Sequence, residues 1–410
     1  MRNRTESEIS NTAVLAPGMV DAWCLSKLAR FLHGAPVRLQ LWNDSVADPD
    51  VSPVATVVVK DRVTLIRLLL QPALAFGEAY SAGRVVVKGD LVRLLEAVNR
   101  ALAGRPYESS SRRIPITPAS ARENVHVHYD LGNDFYRLWL DKAMVYTCAY
   151  FEDLDATLED AQRAKMDYVC RKLRLRPGDR VIEAGCGWGA LALHMARHYG
   201  VSVRAFNISR EQLRYARERA VQEGLSDRVT FVDGDYRTID GRCDAFVSIG
   251  MLEHVGPEDY PAFGGIIDRV LDPDHGRGLL HFIGRNAPME FNRWIARHIF
   301  PGAHAPALSE VLPGALENAH LPVLDIENLR LHYALTLKHW LDRFESHVDV
   351  IRSMFDDAFV RTWRLYLASA QASFASGDLQ LFQVTFGRAA DNTQPATRRA
   401  LYEAPIRGTV

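Results

Sequence analysis

Three alternate glycines in Arg180-Val-Ile-Glu-Ala-Gly-Cys-Gly-Trp-Gly-Ala190 stand between an apolar run and a helix-like run. Glycine permits a sharp turn and close approach of the backbone to a bound group, and the N–H groups of a following helix start are open to it. The spacing is GxGxG and not the GxGxxG of dinucleotide sites. A methionine-derived cofactor without a pyrophosphate suits it better, while a tight strand-to-helix turn holding no ligand is the plainer reading. Farther on, Asn207 and Gln212 in Phe206-Asn-Ile-Ser-Arg-Glu-Gln212 offer amides for ribose hydroxyls where many nucleotide-binding sheets carry an acid. Ser209 also reads as a helix N-cap.

Other chemistries find less support. Cys24, Cys148, Cys170, Cys186 and Cys243 are scattered, odd in number and without a CxxC pair, so neither a disulfide framework nor a zinc site is indicated and a reducing cytoplasm fits. A net charge of -1 with 24% charged residues gives no electrostatic case for nucleic acid. Arg210, Arg214 and Arg217 share a helix face with Glu211 and Glu218 nearby, which reads as a solvated face more than a phosphate site. Residues 1–12 are polar and lack a secretory apolar core, and the run 63–76 is broken by Arg67 and Pro72. A soluble or peripheral protein with only local lipid contact is expected.

These groups need elements to hold them. A length of 410 residues calls for two domains, or one large domain with an appendage. Strand-like runs at 54–59 and 85–87 alternate with helix-like runs at 64–70 and 91–102, giving a small α+β domain over 1–104. Pro106, Ser109, Arg112, Pro115 and Pro118 mark a linker over 105–123. A helix over 157–173 then leads into strands at 179–183, 201–206, 229–232, 245–249 and 278–283. Helices at 190–198, 209–222 and 260–271 alternate with them, so the part 124–390 reads as α/β with a parallel sheet covered on both faces. Residues 391–410 read as a loose polar tail.

Five segments coincide in order: His128-Tyr-Asp-Leu-Gly-Asn-Asp-Phe-Tyr136, Met144-Val-Tyr-Thr-Cys-Ala-Tyr-Phe151, Glu183-Ala-Gly-Cys-Gly-Trp-Gly189, Ser248-Ile-Gly-Met-Leu-Glu-His-Val-Gly256 and Leu279-Leu-His-Phe-Ile-Gly284. Together they resemble the cyclopropane fatty acid synthases and the related mycolic acid methyltransferases, from about Asn124 to about Arg388. Gly77-Glu-Ala-Tyr80 and Gly83-Arg-Val-Val-Val-Lys-Gly89 resemble the N-terminal domain of the longer bacterial branch. Thr147 stands where Ser is usual, Asn207 where Thr is usual and Ala184 where Ile or Val is usual. The resemblance implies a Rossmann-like S-adenosylmethionine-dependent methyltransferase domain with a smaller α+β N-terminal domain. It also implies a homodimer that works on membrane phospholipids at the cytoplasmic face, and the domain over 1–104 is expected to serve lipid docking or dimerisation, with residues before Gly104 forming the dimer.

For the cofactor the resemblance implies contacts from Tyr146 and Thr147, from Glu183, Gly185, Cys186, Gly187 and Gly189, from Asn207 and Gln212, and from Gly234 and Asp235. Asp233-Gly-Asp235 reads equally well as a plain turn. The implied reaction adds a methylene to a cis double bond of an unsaturated phospholipid acyl chain. An alkene is a weak nucleophile, its attack leaves a carbocation, and ring closure needs a base in a dry site. In the family that base resembles a bound bicarbonate, and the matching holders are Cys148, Glu253, His281, Tyr333 and the backbone of Ile283. Taken singly, Cys148 reads as a small buried hydrophobe, Glu253 as a helix cap, His281 as a core histidine and Tyr333 as packing. Phe135, Tyr136 and Trp139, with the segment 291–300, read as a wall of the acyl channel or as plain core. Methyl-branched, methylene or hydroxylated products share the early steps. A small-molecule methyltransferase and a non-catalytic lipid-binding protein are the remaining alternatives.

Overall fold

The computed structural model describes residues 18–104 and 131–402. The expected linker over 105–123 lies outside them, as do residues 124–130 and 403–410. Two compact units form, Met1–Ala103 with Asp357–Leu365, and Gly104–Asp356 with Tyr366–Val410.

In the first unit, helix α1 (Met19–Phe31) precedes strands β1 (Val37–Leu41), β2 (Val46–Ala47) and β3 (Ala55–Val59). Helices α2 (Arg62–Leu70) and α3 (Pro72–Ser81), strand β4 (Val85–Gly89) and helix α4 (Leu91–Leu102) complete it. The sheet order is β2-β1-β3-β4. Every second residue of β1 and β3 is buried, as the two-residue period of a half-covered strand requires. Leu39, Leu41, Val57 and Val59 pack with Leu25, Leu65, Leu68 and Leu94 in one core. Asp61 and Asp90 cap α2 and α4 by accepting from the N–H of Thr64 and Arg93.

The second unit opens with the short helix α5 (Asn133–Arg137) and helix α6 (Leu158–Lys172), capped by Thr157. Then come β5 (Arg180–Ala184), α7 (Ala190–Tyr199), β6 (Ser202–Asn207), α8 (Arg210–Gln222), β7 (Val229–Asp233), β8 (Ala245–Ile249), α9 (Tyr260–Val270) and β9 (Arg277–Gly284). The expected alternation is present, with ends moved by a residue or two. Strand β10 (Val323–Asn328), helix α10 (Arg330–Ser346), helix α11 (Asp357–Ser376), whose residues from Tyr366 on belong to this unit, and strand β11 (Gln380–Phe386) follow.

The sheet order is β10-β11-β9-β8-β5-β6-β7. Strands β5 to β9 run parallel, but β11 is antiparallel to β9 and β10 is antiparallel to β11. The fully parallel sheet expected from the sequence is therefore mixed at its β10–β11 edge, although helices lie between β9 and β10 and between β10 and β11. Both faces are covered: Val181 joins a core with Leu191, Val203 and Phe231, while its neighbour Ile182 joins another with Phe246, Phe263 and Phe282. The chain order reverses at β5, between β6 and β8, which makes a crevice at the C-terminal strand ends. The start of the supposed loose tail is anchored. Asp391 is buried and accepts from the N–H and hydroxyl of Thr393 and from Arg174.

Candidate active site

The glycine loop sits in that crevice. Gly185, Gly187 and Gly189 have φ of +87°, +52° and +82°, a region that side chains resist. The N–H groups of Gly185 and Cys186 both donate to the carbonyl of Phe206, at 2.9 and 3.0 Å, which pins the loop to the end of β6. A Cβ on Gly185 would lie 2.8 Å from Cβ of Met251, and one on Gly189 would lie 2.6 Å from the Phe231 ring. A Cβ on Gly187 would meet nothing within 4 Å. Two glycines are thus required by packing, and the middle one opens onto a cleft.

All the expected cofactor positions except Gly189 line this cleft. Asn207 and Gln212 are brought together: Asn207 Nδ2 donates to Gln212 Oε1 at 2.8 Å and to the carbonyl of Gly187 at 3.1 Å. Ser209 caps α8 by accepting from the Gln212 N–H. Asp235 caps a short turn by accepting from the Arg237 N–H at 2.9 Å, and it pairs with the Arg237 guanidinium. Tyr146 shares a 2.7 Å hydrogen bond between hydroxyls with Tyr366. Tyr136 and Trp139 of the aromatic segment, with Trp340, each lie within 5.6 Å of the Tyr146 ring centre, but Phe135, Tyr136 and Trp139 are fully buried and only Tyr146 of these rings lines the cleft. From 291–300, Phe300 lies against His254, a lining residue of the cleft, and against Tyr366. On α8, Arg214 pairs with Glu211 and Glu218, a solvated face.

Sequence reasoning missed Lys165. It lines the cleft from α6, is 2% exposed, and donates from Nζ to Thr147 Oγ1 at 2.9 Å. Gln162 Nε2 donates to the Thr147 carbonyl at 2.8 Å, so α6 holds Thr147 by both its backbone and its hydroxyl. Burial pulls the Lys165 ammonium down to about 8 against the charges of Cys148, Asp141 and Glu183. Burial pushes the Glu183 carboxyl up to about 8, opposed by Lys165. The signal in the sequence was a glutamine and a lysine inside the buried stripe Ala161, Gln162, Lys165, Met166, Val169.

The residues expected to hold the base fall into two groups. Glu253 follows β8, and its Oε1 accepts from the Ile283 N–H at 2.6 Å. The Ile283 backbone donor is therefore spent on Glu253. His281 lies two residues earlier on β9, on the same strand face. Glu253 Oε2 and His281 Nε2 are both buried without a hydrogen-bond partner among the described residues. Burial pushes the Glu253 carboxyl up to about 7 and holds His281 far below its ordinary value, helped by the charges of Lys165 and Lys172.

The segment that carries Cys148 is tied to α10, which carries Tyr333. Thr336 Oγ1 accepts from the Ala149 N–H at 3.0 Å, and Tyr333 lies one turn earlier, packed 4.5 Å from the ring of Phe374. The Cys148 thiol is buried and donates to the Ala149 carbonyl at 3.1 Å. The charge of Lys165 opposes the upward push of burial on the Cys148 thiol and adds to the downward push on His281.

Comparison with known proteins places this geometry. The model for mycolic acid cyclopropane synthetase matches residues 117–384, and a model for a domain of unknown function matches residues 24–104. A probable fatty acid methyltransferase of Pseudomonas putida is 38% identical over 360 residues, covering 85% of this chain and 91% of that protein. The cyclopropane-fatty-acyl-phospholipid synthase of Escherichia coli K12 is 41% identical over 266 residues, covering 65% of this chain and 68% of that protein. A solved mycolic acid cyclopropane synthase complexed with SAH and CTAB is 32% identical with a TM-score of 0.62, over 65% of this chain and 98% of that one.

Proposed function

The chain belongs to the mycolic acid cyclopropane synthetase family, and on that premise we propose that it adds a methylene group to a cis double bond of an unsaturated phospholipid acyl chain, leaving a cyclopropane ring. It is an S-adenosylmethionine-dependent methyltransferase. The observation that carries the finer reading is the pair of buried, unpartnered atoms Glu253 Oε2 and His281 Nε2. An ionised Glu253 offers an acceptor and a neutral His281 offers a donor or an acceptor. Bicarbonate, with one O–H and further acceptor oxygens, fits that pairing.

When bound, the sulfonium cofactor supplies an electrophilic methyl and bicarbonate supplies the base for the transferred carbon. The chain's own residues do the rest. Lys165 and Gln162 hold Thr147 at the cleft wall. Asn207 and Gln212 present amides at the end of β6, where ribose hydroxyls would lie. Glu253 and His281 orient the base, and Cys148 and Tyr333 close the enclosure on the α10 side. With Cys148, Glu253 and His281 all buried, water is kept from a carbocation that it would otherwise capture. The Tyr136, Trp139, Tyr146 and Trp340 rings supply π surface suited to passing positive charge.

One alternative keeps the transfer and ends it in a methyl-branched or methylene chain. It is favoured by the Pseudomonas relative, whose match spans 85% of this chain and which is named a probable fatty acid methyltransferase. No helix among the described residues is long and apolar enough to cross a membrane. Met19, Trp23, Val63 and Leu70 are exposed on the N-terminal unit, which supports a homodimer that meets the cytoplasmic membrane surface peripherally.

The base is tested by removing bicarbonate. In buffers stripped of carbon dioxide, turnover on unsaturated phospholipid vesicles should fall at least ~10-fold and return when bicarbonate is added, as for loss of a general base. Turnover indifferent to bicarbonate would remove it from the mechanism.

A further inference from the structure

The antiparallel edge of the large sheet carries a row of polar residues where an apolar ladder would be expected. In the strand register, His281 of β9 pairs with Gln383 of β11, and Gln383 pairs with Glu327 of β10. Gln383 is fully buried. Lys172, in the last turn of α6, reaches the same row with a side chain that is 2% exposed. Its Nζ donates to Gln383 Oε1 at 2.6 Å and to Glu327 Oε2. We propose that Gln383 is a positioning residue that fixes the tautomer of His281, and that Lys172, anchored by Glu327, fixes which way Gln383 faces. The inference rests on the reading of His281 as a holder of the bound base.

The argument is one of donors and acceptors. Burial draws Lys172 below its ordinary value and the Glu327 carboxylate that its Nζ touches opposes this, and the ammonium of that pair has three donors and no acceptor. The group facing it must therefore be the amide oxygen of Gln383, which turns the amide NH2 towards His281. Gln383 Nε2 lies 3.0 Å from His281 Nδ1. An amide nitrogen only donates, so Nδ1 must accept. A neutral imidazole has one N–H and one acceptor nitrogen, which leaves the proton on Nε2. That atom is buried with no partner among the described residues. The row thus turns His281 into a fixed donor beside the open acceptor Glu253 Oε2. A glutamine that merely satisfied its own buried amide would need neither Lys172 nor an imidazole, and an apolar row of similar volume would be no less stable.

The test reads the tautomer directly. Long-range 1H–15N correlation spectra of the full-length protein labelled with 15N-histidine, with His281 assigned from the spectrum of His281→Asn, should show a neutral ring protonated at Nε2. Gln383→Glu keeps the contact with Lys172 but places an acceptor against Nδ1. It should move the proton to Nδ1 and lower kcat at least ~100-fold, short of the roughly 10,000-fold lost when the histidine of a catalytic triad takes the wrong tautomer, with S-adenosylmethionine binding by calorimetry within about 3-fold. Lys172→Arg should retain the Nε2 tautomer. Lys172→Met should give a mixture and a kcat lowered ~10-fold or more, as for loss of a residue that orients a ligand from behind. A wild-type ring protonated at Nδ1 overturns the inference, as does an unmoved tautomer in both Gln383→Glu and Lys172→Met. If Gln383→Glu does not fold, the two Lys172 variants decide. The spectra are recorded without substrate or bicarbonate, so turnover indifferent to bicarbonate would sink the functional reading and leave this result standing.

Discussion

Glu253→Gln should lower turnover by ~100-fold or more, about 2.7 kcal/mol in activation free energy, while cofactor binding stays nearly intact. The substituted amide can still accept from the Ile283 N–H through its oxygen, so the 2.6 Å contact that orients the side chain survives. Its other atom becomes an NH2 where Glu253 Oε2 offered an acceptor, and the O–H of the base then meets a donor. Stability should move the other way. The Glu253 carboxyl is held up to about 7 by burial, above its ordinary value, so its contribution is fully present below about pH 4 and is lost as pH rises through 7. The variant lacks that loss. Its stability relative to wild type should therefore climb between pH 5 and pH 8, by on the order of 3 kcal/mol at most, and its Tm should rise with it. Steady-state kinetics, calorimetry and a series of melting curves check the three parts. Unchanged turnover would remove Glu253 from the mechanism.

Gly187→Ala and Gly189→Ala should fail in different ways. At Gly189 a methyl group meets the Phe231 ring and Ala216 Cβ, both nearer than 3 Å, in a backbone at φ +82°. Left-handed strain of roughly 1–2 kcal/mol and overpacking of roughly 1–3 kcal/mol add, so the protein should lose a large part of its stability. At Gly187 only the backbone term applies, because no atom beyond its two chain neighbours lies within 4 Å of the added carbon. That carbon projects into the cleft, so binding of S-adenosylmethionine should weaken at least ~30-fold with a drop of only about 1–2 kcal/mol in stability. Calorimetry and chemical denaturation separate the two. Equal losses of stability in both variants would mean that Gly187 is a packing glycine like its neighbours.

The glycine loop was legible because its signal is local. A strand, three glycines and a helix in sequence dictate a turn at positive φ, and Ser209, Thr157 and Gln212 act within a few residues of themselves. The antiparallel edge was not legible. In β10 the burial does not alternate, and β11 is buried along its whole length while carrying Gln380, Gln383 and Thr385. Neither pattern distinguishes a strand from a loop or a core helix. Lys165 and Lys172 escaped for a related reason. A lysine on a helix is ordinarily solvated, and the partners that make these two tolerable, Thr147, Gln383 and Glu327, lie 18 to 211 residues away. Cys148, Glu253, His281 and Tyr333 came from a family resemblance, not from periodicity. They stand in four separate parts of the chain, before α6, after β8, on β9 and on α10, which no local pattern ties together.

The most direct measurement is mass spectrometry of lipids from a host that expresses the protein and is fed methyl-labelled methionine. Unsaturated phospholipid chains should gain one labelled carbon and lose their double bond to a ring. A labelled carbon gained with unsaturation retained would exclude the ring product, and an absence of label from the acyl chains would contradict methyl transfer to lipid altogether.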